Sequence, residues 1–429
     1  MTLIRLWMTS INTACPGSWL RLMQVSWKGR AENLMQKREY FNHFNAARVP
    51  SPCFVIDKAA VEDNLKILNR VQRESGVKVL GALKAFSCWS LAPLFRQYLS
   101  GTCASGLHEA RLGREEFGGE VHCYSAAYKE SDLEQILEIA DHVLFNSVTQ
   151  WQQFKNLSLA AQKRRPQLAF GLRINPEHSE GDVPLYDPCA PCSRMGIPIA
   201  SLDAAIVADP DFLQGISGFH FHTLCQQDLP PLERTLNAVI RRFGKYFKHI
   251  HWINFGGGHH ISREDYQVDD LIAMLKNFQA NYDLQVYLEP GEAVAIRSGV
   301  LVAEVVDITW NTVAQAILDT SATCHMPDVL EMPYRADILG AAMPNELAHT
   351  YRLGGMTCLA GDIIGDYSFA QPLQVGQRLV FDDMAHYTMV KTTTFNGINL
   401  PSIAVWDSRT DELEVIRQFG YEDFKTRLS

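Results

Sequence analysis

Val77-Lys78-Val79-Leu80-Gly81-Ala82-Leu83-Lys84-Ala85 is a short apolar run that closes on a lysine. Its length and its β-branched residues predict a strand over Val77–Ala82. The same kind of run returns at Gly101–Cys103, Glu120–Tyr124, His142–Phe145 and Gln167–Ile174. It returns again at Ile216–Phe221, His251–Phe255 and Gln285–Leu288. Helical patterns fall between the runs, as at Leu107–Phe117 and Leu133–Ala140. The stretch Leu229–Phe247 is a longer one, with apolar residues at Leu232, Leu236, Val239, Ile240 and Phe243. Eight strand–helix units predict a closed parallel (β/α)8 barrel. An open doubly wound sheet is the alternative. The barrel is preferred because the count reaches eight and because the unusual polar residues gather at the strand ends.

Outward from the barrel the texture changes on both sides. Downstream of about residue 300, Val300–Trp310, Val313–Leu318, Arg378–Phe381 and Ile403–Trp406 read as strands without long helices between them. They predict a second, mostly β domain over 299–429, after a barrel domain over 76–298. Upstream, a strand at Pro52–Ile56 and a helix at Val61–Glu74 lead in over 46–75, and the strand is expected to pair with the β domain. Residues 1–45 carry Trp7, Trp19 and Trp27 among scattered basic residues, without the apolar stretch of a signal peptide. This extension is expected to be disordered, or the native start to lie downstream near Met35.

The bulk properties narrow the function. With 429 residues, 47% hydrophobic and 20% charged, the chain has the make-up of a soluble two-domain protein. The 39 basic against 48 acidic side chains give a net charge of -9, which argues against nucleic acid as a partner. The ten cysteines are scattered and suggest free thiols in a reducing cytoplasm. No run of about 18 apolar residues predicts a membrane span.

In a barrel the loops after the strands build the active site. The first strand ends at Lys84, the sixth in His220-Phe221-His222, the seventh in Gly256-Gly257-Gly258, and the eighth in Glu289-Pro290-Gly291-Glu292. Each suits pyridoxal-phosphate chemistry. A lysine partly buried at a strand end has a lowered pKa and an accessible lone pair for a carbonyl. Successive glycines let backbone N–H groups approach a phosphate. A carboxylate can keep a pyridinium nitrogen protonated, which makes the ring an electron sink. Taken singly, each has an ordinary explanation: a surface lysine, a flexible turn, a turn acid. Two metal and cofactor alternatives are weaker. His220, His222, His259 and His260, with the Cys189–Cys192 pair, lack a second pair at zinc spacing, so no metal is expected. A dinucleotide loop would need GxGxxG, which is absent.

The pieces in order resemble the fold-III pyridoxal-phosphate decarboxylases, the alanine-racemase-like group that includes ornithine, arginine and diaminopimelate decarboxylases. The resemblance spans about residues 50–425. It adds Cys103-Ala104-Ser105 with Glu109, a Gly-x-x-Cys stretch around Cys358, Tyr387-Thr388, and Thr394-Phe395-Asn396-Gly397. Within that group the local sequence is similar to the carboxynorspermidine decarboxylases. Lys84-Ala85-Phe86-Ser87, His220-Phe221-His222-Thr223-Leu224-Cys225 and Glu289-Pro290-Gly291-Glu292-Ala293 carry this likeness. So do the segments 325–333 and 354–362.

The resemblance implies pyridoxal 5'-phosphate as cofactor and a homodimer with shared active sites. It implies that Lys84 is the Schiff-base lysine, His222 the residue stacked on the ring, and Glu289 the pyridinium partner. Gly256, Gly257, Gly258 and Tyr387 would bind phosphate. Cys358 would protonate the carbanionic carbon from the partner subunit. There are departures. Where many relatives carry arginine after Glu-Pro-Gly, Glu292 stands here, and where ornithine decarboxylases place Asp after the reactive Cys, Leu359 stands. An acid at Glu292 opposes a dicarboxylate substrate and favours a polyamine-like cation. Glu292, Asp328 and Asp362 are therefore the candidates for holding substrate ammonium groups, although each also reads as an ordinary ion-paired or solvated acid. The expected reaction is decarboxylation of carboxynorspermidine to norspermidine and of carboxyspermidine to spermidine. The alternatives are another decarboxylase of this fold, a non-catalytic binding protein built on it, and a metal-dependent barrel hydrolase.

Overall fold

The computed structural model describes residues 40–181 and 187–429. The expectation for the N-terminal extension falls almost wholly outside them. Residues 40–44 contain a 3-10 turn, Tyr40–His43. Residues 45–429 form one compact body.

That body begins with strand β1, Cys53–Asp57, buried along its whole length. Asp57 stops the strand and starts the helix Lys58–Ser75, because its carboxylate accepts the Ala59 N–H at 3.0 Å. Val61, Leu65, Leu68 and Val71 recur at helical spacing and are fully buried. Gly76, left-handed at φ +78°, ends the helix.

The barrel strands follow: β2 Lys78–Ala82, β3 Gly101–Ala104, β4 Glu120–Tyr124, β5 His142–Phe145 and β6 Ala169–Asn175. A two-residue strand, β7 Ile197–Pro198, pairs only with β6. Then come β8 Ile216–His220, β9 Trp252–Asn254 and β10 Gln285–Leu288. Neighbours pair in parallel through β2-β3-β4-β5-β6-β8-β9-β10, and β10 pairs back to β2, which closes the barrel at eight strands. The helix predicted over Leu229–Phe247 is α-helical over Leu229–Phe243 and tightens to a 3-10 turn over Gly244–His249.

The barrel interior is not the usual stack of branched aliphatics. Leu80, Leu144, Trp252 and Tyr287 pack together there, with the stacked rings of His122 and His142 beside them. Room for the indole comes from β8: a Cβ at Gly218 would lie 2.0 Å from Trp252. Lys78 ion-pairs with Glu120, which in turn lies 3.2 Å from His122 Nε2, so the entry end of the barrel is plugged by satisfied charge.

The second domain is a sheet of β11 Gly299–Asn311, β12 Val313–Leu318, β13 Ala341–Ala342, β14 His349–Gly354, β15 Ile363–Phe369, β16 Arg378–Phe381, β17 Ser402–Asp407 and β18 Glu412–Arg417, joined by β1. β1 runs antiparallel to β11 and parallel to β17, and the Ser408 N–H donates to Asp57 at 3.2 Å. Its core gathers Phe54, Leu301, Leu318, Leu353, Tyr367 and Phe381. Among the described residues, no helix is long and apolar enough to cross a membrane.

Candidate active site

Lys84 stands two residues past the end of β2, and backbone bonds from three directions fix its loop. Leu83 N–H donates to Cys103 O at 3.1 Å, Ala82 N–H to Pro290 O at 3.0 Å, and Tyr387 N–H to Ala85 O at 2.7 Å. The lysine itself is exposed rather than partly buried.

Glu289 ends β10 on the inner side of that mouth. Both carboxylate oxygens are occupied: Asn254 Nδ2 donates to Oε1 at 2.7 Å and His220 Nε2 lies 3.1 Å from Oε2. Burial alone would raise this carboxyl, but the His220 contact, with His122 and then Lys84 behind it, outweighs burial and holds it down to about 2. Burial pushes His220 the other way, below its ordinary value. A carboxylate facing a neutral imidazole that donates Nε2–H fits both directions. Tyr124 stacks parallel to the His220 ring at 5.7 Å.

His222 is one pleat further on. Its Nδ1 accepts the Gly257 N–H at 3.0 Å, so in the neutral ring the proton sits on Nε2. Burial, with Lys84 next, pushes its pKa well down, which keeps the ring neutral. Arg173, itself buried, donates to the His222 carbonyl at 3.2 Å and lies over the Tyr124 ring at 4.6 Å.

The glycine triplet is squeezed between two backbones. A Cβ at Gly257 would lie 2.1 Å from Glu289 O, and one at Gly258, where φ is +90°, would lie 2.0 Å from Leu224 O. The triplet divides its work. Gly256 N–H donates to Asn254 Oδ1 at 2.8 Å and Gly257 N–H to His222, so two amides orient side chains and Gly258 carries the loop's third. Tyr387, at φ +51°, brings its hydroxyl to within 3.5 Å of where a Gly291 Cβ would stand.

The three acids expected to hold ammonium groups differ. Glu292 opens the short helix Glu292–Ala295, with Gln226 Nε2 at 3.2 Å and His260 Nδ1 at 3.6 Å. Asp328 bonds Lys391 Nζ at 2.5 Å. Asp362 is put to another use. It is 3% exposed and accepts from Ser321 Oγ, Thr323 N, Thr357 N and Thr357 Oγ1, which fills its oxygens from within the chain. It shapes the loop that carries Cys358 rather than presenting a carboxylate to a ligand. Cys358 is exposed on that loop, with its N–H on Asn396 Oδ1 at 2.9 Å.

The histidines weighed as metal ligands have separate partners; His259 Nδ1, for instance, bonds the Tyr266 hydroxyl at 2.7 Å. Glu120, His122 and His142 lie close enough to be a metal set. However, the two rings stack at 3.9 Å and 17°, so their in-plane lone pairs run parallel instead of converging. Cys189 is buried, Cys192 is exposed, and both are free thiols. Sequence reading passed over Asn254, Arg173, Tyr124 and Lys391. Arg173 did leave a signal, as a cation inside an otherwise apolar strand.

An exposed amine, an ionised carboxylate held at both oxygens, an oriented neutral imidazole and a glycine loop form one rim. That donor set matches the aldehyde, ring nitrogen, ring face and phosphate of pyridoxal 5'-phosphate.

The model of the family described as pyridoxal-dependent decarboxylase, C-terminal sheet domain, matches residues 53–385. Carboxyaminopropylagmatine decarboxylase of Synechocystis sp. is 45% identical over 382 residues, 89% of this chain and 96% of its own. Carboxynorspermidine/carboxyspermidine decarboxylase of Campylobacter jejuni is 40% identical over 393 residues, 89% and 99% of the two chains. The crystal structure of carboxynorspermidine decarboxylase from Campylobacter jejuni, complexed with norspermidine, superposes with a TM-score of 0.79 at 39% identity. It covers 88% of this chain and all of that one.

Proposed function

Since this chain belongs to the pyridoxal-dependent decarboxylases, we propose that it decarboxylates a carboxylated linear triamine, carboxynorspermidine to norspermidine and carboxyspermidine to spermidine. It is a decarboxylase that uses pyridoxal 5'-phosphate. The observation that carries the substrate is Glu292. An acid beside the Glu289 loop, oriented by Gln226 and His260, suits an ammonium group and repels the second carboxylate of diaminopimelate. A guanidinium end would meet the same acid, and the Synechocystis relative makes carboxyaminopropylagmatine the second substrate to test.

When bound, pyridoxal 5'-phosphate supplies the electron sink for the pair left as CO2 departs. Lys84 offers the amine that would hold it, and Glu289 the carboxylate that keeps its ring nitrogen protonated. His222 would cover the ring face, its plane fixed by Gly257. Gly258 and Tyr387 would face the phosphate, with the rest of the triplet as the support that orients His222 and Asn254. Cys358 of the partner subunit would deliver the proton to the α-carbon. A homodimer with shared sites is supported by the exposure of Cys358 together with Met356, Leu359 and Phe395 around it. The enzyme would act in the cytoplasm, where nine thiols of the described residues would stay reduced.

The test is CO2 release by purified protein from carboxynorspermidine, carboxyspermidine, carboxyaminopropylagmatine and diaminopimelate. An absorbance band near about 420 nm, lost on borohydride, would report the cofactor on Lys84. Highest kcat/KM on a carboxylated triamine is expected. Highest kcat/KM on diaminopimelate would overturn the substrate.

A further inference from the structure

Asp328 already has a cation on it. Its Oδ1 lies 2.5 Å from Lys391 Nζ. Lys391 ends the 3-10 turn Met389–Lys391, just past Tyr387, and its ammonium lies 6.0 Å over the Tyr387 ring. Tyr387 in turn bonds the backbone next to Lys84. Asp328 and Glu292 are both near enough to His386 and Tyr387 to raise them electrostatically, which sets both acids around the Tyr387 turn. The carboxylate is largely covered, at 14% exposed, and the lysine less so, at 36%. The lysine has the looser attachment, on a flexible four-carbon stem.

That stem with its ammonium is an aminobutyl arm, the unit at one end of spermidine and one methylene longer than the aminopropyl ends of norspermidine. We propose, resting on the substrate read above, that Lys391 is a specificity-determining residue: a tethered stand-in that neutralises Asp328 in the empty enzyme and yields it to the terminal ammonium of the substrate. The exchange swaps one ammonium for another on a single acid. The site therefore never leaves a covered carboxylate unpaired, and it does not trap a polycationic product. An amino acid without a distal cation gains nothing from Asp328, because Lys391 keeps it.

The test titrates norspermidine into holoenzyme, with its inhibition constant read from the decarboxylation assay, for wild type, Lys391→Met, Lys391→Arg and the double variant Asp328→Asn/Lys391→Met. Lys391→Met keeps the stem and removes the competitor, so norspermidine should bind about tenfold tighter, the scale of one charge-assisted hydrogen bond. Lys391→Arg should bind it no tighter than wild type, and the double variant should lose the gain. A merely structural ion pair gives the opposite order: Lys391→Met weakens binding and Lys391→Arg restores it. That order, or equal binding by all four proteins, would overturn the inference while leaving the reaction intact. Failure of wild type to bind norspermidine at all would instead bring down the substrate reading on which it rests.

Discussion

His220 Nε2 lies 3.1 Å from Glu289 Oε2, and that contact, with Asn254 on the other oxygen, keeps a largely covered carboxylate ionised at the mouth of the barrel. The consequence is electronic. An ionised Glu289 would stabilise a protonated ring nitrogen of the bound cofactor, and the neutral amide of Glu289→Gln would not. Glu289→Gln should keep the absorbance band of the bound cofactor and lose kcat by on the order of a hundredfold. Loss of the band together with the rate would make Glu289 a binding residue instead.

The glycine triplet makes a second prediction, about space. Ala at Gly257 would put a Cβ 2.1 Å from a backbone carbonyl, which no side-chain rotation relieves. Gly257→Ala should cost about 3 kcal/mol and reduce cofactor retention, because the same amide orients His222. Gly106, where a Cβ meets nothing within 4 Å, is the control, and Gly106→Ala should behave as wild type. Thermal denaturation with and without cofactor separates the two effects.

These two sites also mark what the sequence made legible. All eight barrel strands were readable because each is short, apolar and punctuated by a polar or glycine end, as with Gly256–Gly258 after β9. The β domain was read in part: β14 and β15 mix polar and apolar residues without a clear alternation, and β18 is half polar and only partly buried, so none of them stands out as an apolar run. Lys84, His222 and Glu289 were visible because they interrupt a pattern. Asn254 was not, since an asparagine at a strand end reads as a turn residue until Glu289 is brought 2.7 Å away. Asp362 misled for a related reason: an acid in a motif says nothing of whether its oxygens are already filled, here by Ser321, Thr323 and Thr357.

The shared sites proposed above predict complementation. Lys84 and Cys358 belong to different domains, and Cys358 is exposed on a loop that Asp362 and Asn396 brace. Lys84→Ala and Cys358→Ala should each be nearly inactive alone. Refolded or co-expressed together, they should recover about a quarter of wild-type activity, since half of a random dimer mixture carries one intact site of two. No recovery, with dimers confirmed by light scattering, would place Cys358 in the site of its own subunit.

The last prediction concerns pH. His386 lies 3.2 Å from Asp383 in the turn that leads to Tyr387. Burial alone would lower its pKa, but the Asp383 carboxylate reverses this and holds it up at about 9. A histidine raised above its ordinary 6.5 contributes stability that is complete below about 6.5 and is lost as pH rises through about 9. The raise corresponds to on the order of 3 kcal/mol at neutral pH. Asp383→Asn removes the partner charge, so it should melt several degrees lower than wild type at pH 7, and the gap should close by about pH 10, where His386 is neutral in both. Asp383 also accepts the Arg297 N–H, a bond that is indifferent to pH. A gap of equal size at both pH values would therefore assign the effect to that bond and not to the charge on His386.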